Sequence, residues 1–323
     1  MRPTPSRLVA SAAAVLMTAV ALTGCSAGSD DGCRPLAASG PASDSVTVQG
    51  AFGAKPTVSF PSPMHVDRTQ VTTNIAGRGE PIDPQQQVVA DVTFLDGTTG
   101  QAVTATEYTG DAAAARFVVG SVGVPGLRKA LVCAREGERL TAVMPPGQGI
   151  PAASRPEGLT ASDSLVAVVD VRRAYLARAD GTPQVMAGGL PAVVLAADGR
   201  PGVTLPQGAP PKSLQVALLR AGDGPVVRRG EDAVVQYTGV VWKPGDPADG
   251  EVFDSSWANG APVTLPVSDG QIIPGLAKAL AGQRVGSQVL AVIPPAQGYG
   301  DQATGKIPAG ATLVFVVDLL GKA

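Results

Sequence analysis

Histidine is almost missing from this chain: among 323 residues only His65 carries an imidazole. A histidine-dependent catalytic triad and a multi-histidine zinc site are thereby excluded. Charged residues are sparse, at 16%, and leave a net charge of −2, which argues against a nucleic-acid partner, since that would want a basic face. Neither a P-loop nor a G-x-G-x-x-G fingerprint occurs, which removes nucleotide and hydride-transfer chemistry. Aromatic residues are only 4%. What abounds is glycine and proline, 40 and 29 residues, set between short Val-rich runs. That mixture suits turn-rich β structure rather than long charged helices. A chain of this length suggests two domains.

The N-terminus reads as an address. Arg2 and Arg7 precede an apolar run over 8–22, too short for a comfortable membrane span. It ends in Leu22-Thr23-Gly24-Cys25, which resembles a bacterial lipobox. The resemblance implies a lipoprotein signal peptide over 1–24 and lipidation of Cys25. The mature chain would then be exported and held by lipid to the outer face of the bacterial cell membrane. A plain signal peptide with a chance cysteine is the alternative. Residues 25–44, small and polar, read as a flexible tether. In an oxidising compartment a disulfide between Cys33 and Cys133 is the economical pairing, and two unpaired thiols the other reading.

The most specific signal lies in the last ninety or so residues. VVQYTG (234–239), EVFDSS (251–256), QIIPGL (271–276), PPAQGYG (294–300) and ATLVFVVDLL (311–320) follow one another in order. Together they resemble the FKBP family of peptidyl-prolyl cis-trans isomerases. The resemblance implies an α+β fold, a bent antiparallel sheet (a half-barrel) wrapped over a short helix. The residues themselves give the helix: Pro274 suits a first helical position, where its missing N–H costs nothing. Leu276, Ala279 and Leu280 share a face, and Gly282 can end the turn left-handed.

Isomerisation of an X–Pro bond makes and breaks no bond to carbon. It meets an amide-resonance barrier of about 18–20 kcal/mol and needs a pocket that favours the twisted amide. The resemblance therefore implies no cofactor and no metal. It implies catalytic roles for Tyr237, Phe253, Asp254 and Tyr299, and a substrate cavity from Val263, Ile272, Ile273, Leu276, Ile307 and Phe315. The Ile273 N–H and the Tyr299 hydroxyl would donate to substrate carbonyls, and Asp254 would face the reacting amide or order the Tyr237 hydroxyl. Each residue also has a plainer reading: Tyr237 as a packed strand residue, Asp254 as an Asx turn, Tyr299 as a turn aromatic. Leu276 replaces a tryptophan common on the family's pocket floor, and Val263 and Leu265 replace aromatic walls. Macrolide ligands would accordingly bind weakly. The expected partners are proline-containing unfolded or folding polypeptides.

The chain also repeats itself. GAKPTVSFP (53–61) echoes DGRPGVTLP (198–206), and VGVPGLRKAL (122–131) echoes QIIPGLAKAL (271–280). TAVMPPGQG (141–149) echoes LAVIPPAQG (290–298), and SLVAVVDV (164–171) echoes TLVFVVDL (312–319). Ordered echoes about 145 residues apart point to duplication. They suggest a degenerate FKBP-like domain over 45–176, a linker and leading strand over 177–227, and an isomerase domain over 228–323. Overlaying the halves sets Val92 against Tyr237, Val103 and Thr104 against Phe253 and Asp254, and Ile150 against Tyr299. The first half thus keeps the scaffold and loses the site. A non-catalytic lipid-anchored chaperone or binding protein for proline-containing segments is the alternative for the whole chain.

Overall fold

The computed structural model describes residues 32–186, 188–242 and 250–323. The expected signal peptide, Cys25 and the first part of the tether lie outside the described residues. From Cys33 onward the described chain builds two large sheets, of six and seven strands, and two two-stranded hairpin sheets. The first lobe contains α1 (Pro41–Asp44), β1 (Thr47–Gln49), β2 (Thr57–Ser59), β3 (Gln70–Ile75), β4 (Gln87–Asp96), β5 (Ala102–Ala105), β6 (Ala115–Val118), α2 (Pro125–Leu131), β7 (Arg139–Met144) and β8 (Leu165–Ala174). The second contains β9 (Thr182–Pro183), β10 (Ala192–Leu195), β11 (Pro201–Thr204), β12 (Gln215–Ala221), β13 (Asp232–Trp242), β14 (Glu251–Ser255), α3 (Ser256–Asn259), β15 (Val263–Pro266), α4 (Pro274–Leu280), β16 (Gln288–Ile293) and β17 (Thr312–Lys322).

Strand order is the same in both lobes. The first sheet runs β3-β7-β8-β4-β5 with β6 also on β4; the second runs β12-β16-β17-β13-β14 with β15 also on β13 and β9 added at the β12 edge. All these ladders are antiparallel. Their irregularities coincide as well. A bulge between Val89 and Ala90 matches one between Val234 and Val235. Phe94/Leu95 matches Gly239/Val240, and Thr73/Ile75 matches Leu218/Arg220. A bulge leaves an unpaired residue and bends its strand, so three shared bulges impose one curvature on two unlike sequences.

Burial explains why the central strands read as apolar runs rather than as alternating ones. In β17, Leu313, Phe315, Val317 and Leu319 face a core built with Leu276, Ala279 and Leu280 of α4, while Val314 and Val316 face the opposite side. Each such side chain contributes roughly 1.5–3 kcal/mol on burial. The opposite side is covered by the β10–β11 hairpin through Val203 and Leu205. The β1–β2 hairpin does the same in the first lobe, where Val48, Val58 and Phe60 pack toward Leu95, Val143 and Val166.

Two expectations change here. The segment 177–227 is more than a linker with a leading strand: β9 joins the second sheet and the β10–β11 hairpin is part of the second core, because Val203 and Leu205 find an apolar sheet face beneath them. The tether is also shorter than 25–44. Ala38 bridges Gln70, the Gln70 side chain accepts from the Ala42 N–H at 2.9 Å, and Thr72 donates to Asp44 at 2.6 Å, which seats the chain from Ala38 onward on the first lobe.

Candidate functional site

β13 and β14 bring Tyr237, Phe253 and Asp254 together at the open end of the second lobe. The ring of Phe253 lies across Gly239, where a Cβ would stand 2.4 Å from it, so a glycine is required for the close approach. Phe253 meets Phe315 edge-to-face at 5.5 Å and 80°, and Tyr237 lies 6.0 Å from Phe315 at 43°. Such tilted geometries suit the ring quadrupoles. Leu276 of α4 closes the cavity from one side, Ile272 and Ile273 border it at the helix entrance, and Tyr299 follows β16 at its rim. The cavity volume is about 190 Å³. Larger surface hollows of about 750 and 550 Å³ run beside Glu136 and Leu176, away from these aromatics.

The polar side of the cavity is tightly wired. The Tyr237 hydroxyl donates to the Asp254 carboxylate, whose other oxygen accepts the Ser255 N–H at 2.8 Å. Burial first, and then the Asp254 carboxylate, push the Tyr237 hydroxyl above the ordinary tyrosine range, so it stays a neutral donor at physiological pH. Behind it, the fully buried Ser256 accepts the Tyr237 N–H at 2.8 Å and donates to Gln236, fixing the strand to the start of α3. Ile273 caps α4 in an extended conformation; among the described residues its N–H meets no acceptor.

Tyr237, Phe253, Asp254, Ile272, Ile273, Leu276, Tyr299 and Phe315 all line the cavity. Val263 and Ile307 do not. Val263 packs against the core beside Val235, and Ile307 is buried in that core, 5% exposed, with its backbone paired to Thr304. Leu265, expected as an aliphatic wall, lines the cavity as well; Gln271 does so outside the expected set, and nothing in the sequence singles it out. Cys33 and Cys133 are joined, Cα to Cα 5.8 Å.

Strand register fixes the correspondence between lobes. Val92 pairs with Val169 where Tyr237 pairs with Val317, and Phe94 pairs with Thr104 where Gly239 pairs with Asp254. Val103 therefore stands at the Phe253 position and Ala167 at the Phe315 position. Ile150 follows Met144 by as many residues as Tyr299 follows Ile293. With Phe94 in place of Gly239, the first lobe has a side chain where the second has room for a ring.

The second lobe thus sets an apolar cavity lined by Phe253, Leu276 and Phe315 beside one hydroxyl–carboxylate pair. The family described as FKBP-type peptidyl-prolyl cis-trans isomerase matches residues 224–320. An FK506-binding protein of Streptomyces anulatus is 38% identical over 123 residues, 38% of this chain and 95% of that protein. A probable FK506-binding protein of Corynebacterium glutamicum is 35% identical over 121 residues, 38% of this chain and 97% of its own length. The crystal structure of FkpA from Escherichia coli aligns with 42% of this chain and 52% of that one, at 29% identity and a TM-score of 0.31. The chain belongs to the FKBP-type peptidyl-prolyl cis-trans isomerase family.

Proposed function

We propose that the second lobe isomerises X–Pro bonds in exported polypeptides at the outer face of a bacterial membrane, and that the first lobe is a catalytically silent copy. The observation that carries the reading is the aromatic cage with its Tyr237–Asp254 pair, inside the segment that matches the family. A cavity of about 190 Å³ suits a proline ring rather than a large side chain. The twisted amide has lost charge separation, so an apolar, water-poor wall of Phe253, Leu276 and Phe315 favours it over the planar form. The free N–H of Ile273 and the exposed Tyr299 would hold the flanking carbonyls. Asp254, fixed by Tyr237 and Ser255, would face the reacting amide.

Other features support the finer parts. The shared bulges favour strongly curved sheets, consistent with half-barrels over α2 and α4. Val92, Phe94, Val103 and Thr104 remove the cage and its carboxylate from the first lobe. The Cys33–Cys133 disulfide suits an oxidising compartment, and the Leu22–Cys25 sequence suits lipid anchoring. An aliphatic Leu276 and Leu265 predict weak macrolide binding. Proline isomerisation takes tens to hundreds of seconds unaided, slow enough to limit folding of clients.

The test is the cis-to-trans rate of a short X–Pro peptide with the soluble chain beside Asp254→Ala and Tyr237→Ala. Acceleration lost in both variants supports the reading. A folded wild-type chain without acceleration would turn the site into a binding pocket only.

A further inference from the structure

The outer hairpins of the two lobes are seated differently. In the first, the Arg139 guanidinium reaches the turn and donates to the carbonyls of Gly50 at 2.7 Å and Ala51 at 2.9 Å, while Asp170 accepts the Gly53 N–H at 2.6 Å. In the second, Gln288 takes the register position of Arg139 and donates only to Asp318, at 2.7 Å. Asp318 accepts its other hydrogen bond from the Ala179 N–H at 2.9 Å, not from the turn. The space between the turn and the sheet is left as a cavity of about 510 Å³ bordered by Leu195, Gly199, Arg220 and Asp318.

The second turn rests on a different support. Gly199 has φ +95°, and a Cβ there would stand 3.1 Å from Trp257 and 3.1 Å from Arg178. Arg178 also donates to the Ala197 carbonyl at 3.2 Å. Trp257 is the second residue of α3, three positions after Asp254, and its indole N–H is buried without an acceptor among the described residues. Its first-lobe counterpart is Glu107, because Thr106 makes the bonds to Val92 and Asp91 that Ser256 makes to Tyr237 and Gln236. A large aromatic thus joins hairpin to site loop only in the lobe that has the site.

We propose that Trp257 is a positioning residue: it wedges the β10–β11 turn against α3 and so holds the Asp254 end of β14 in register with Tyr237. This rests on the isomerase reading of the second lobe. The proline ring is caged by Phe253, Leu276 and Phe315, none of which is carried by α3, so loss of the wedge acts on turnover rather than on binding.

The experiment measures kcat and KM separately for an X–Pro peptide, with thermal melting, on the whole soluble chain and its Trp257→Ala, Trp257→Phe and Gly199→Ala variants. Trp257→Ala is expected to lower kcat at least tenfold with KM within twofold and a cooperative melt retained. Trp257→Phe keeps an aromatic ring but loses the N–H and the outer part of the indole, where Cη2 faces Gly199, so its kcat is expected between that of the Ala variant and wild type. Gly199→Ala should likewise fall between Trp257→Ala and wild type and shift the tryptophan emission. Wild-type kcat in Trp257→Ala overturns the proposal, as does activity that tracks the folded fraction alone. If Trp257→Ala does not fold, Gly199→Ala decides: unchanged kcat with shifted emission overturns it. A folded wild-type chain without acceleration overturns the isomerase reading itself, and this inference with it.

Discussion

One node of the sheet shows how the two lobes differ. Asp170 and Asp318 occupy the same register position on the last strand of each lobe, opposite Arg139 and Gln288. In the first lobe the pair is ionic, buried to 2% and 0% exposure, and knits sheet to hairpin. In the second the carboxylate is satisfied by an amide and a backbone N–H, and Gly199 of the hairpin turn lies against Trp257 of α3 and Arg178. Strand order is shared between the lobes, whereas Arg139 ties its sheet to a hairpin turn and Gln288 bonds only Asp318. The buried ion pair is in the first lobe, and the aromatic-lined cavity is in the second.

The largest effect expected from that contrast is on stability. Arg139→Ala strands the Asp170 carboxylate in the core and should lower the unfolding free energy by about 3–5 kcal/mol. Gln288→Ala should lower it by only about 1–2 kcal/mol; urea midpoints at constant slope would compare them, and equal losses would erase the distinction. Next, Cys133→Ser opens a cross-link spanning 100 residues and should remove about 2–5 kcal/mol. The loss should fall on the first lobe, with isomerase rate untouched and reductant reproducing the effect.

A smaller effect separates the cavities. Gly239→Ala drives a Cβ into Phe253 and should reduce kcat/KM by about tenfold, roughly 1.4 kcal/mol. Phe94→Ala in the first lobe should leave turnover unchanged. Parallel rate assays on the two variants would show whether one lobe alone turns over substrate.

The smallest effect is in acid. Burial raises the Asp318 carboxyl, so the folded state takes up that proton before the unfolded chain does, and the second lobe gains stability as pH falls toward about 4. Hydrogen bonding from Arg172 lowers Asp111, so its contribution is present above about pH 4 and is lost below it. Asp318→Asn should flatten the first trend and Asp111→Asn the second; lobe-resolved hydrogen exchange between pH 3 and 7 would read both.

Much of this was legible in sequence because it depends on short, ordered cues. The PGL triplets mark α2 and α4, and the VVQYTG and FDSS runs bring Tyr237 to Asp254 across one ladder. The overlay of Val103 on Phe253 also follows from the bulge that the two ladders share. What escaped depends on distant packing. The β10–β11 hairpin looks like a Gly/Pro-rich connection until Val203 meets Trp242 and Val316 beneath it. Ile307 shares one core with Leu276 and Phe315 and is as buried as they are, yet only those two reach the cavity, and no local pattern distinguishes the three. The firm seating of Ala38 to Asp44 depends on Gln70 and Thr72, about thirty residues away.

The Cys33–Cys133 link has a mechanical consequence. A pull on the chain ahead of Cys33, opposed at the C-terminus, passes directly to Cys133 at the end of α2. The 100-residue loop between them, with its hairpin, β3 and β4, carries no tension and adds no length while the bond is intact. Stretched from its ends, the protein should therefore release roughly 330–360 Å less contour under oxidising than under reducing conditions. The disulfide acts as a shunt, leaving the first lobe's β7–β8 side and the whole second lobe to bear the force.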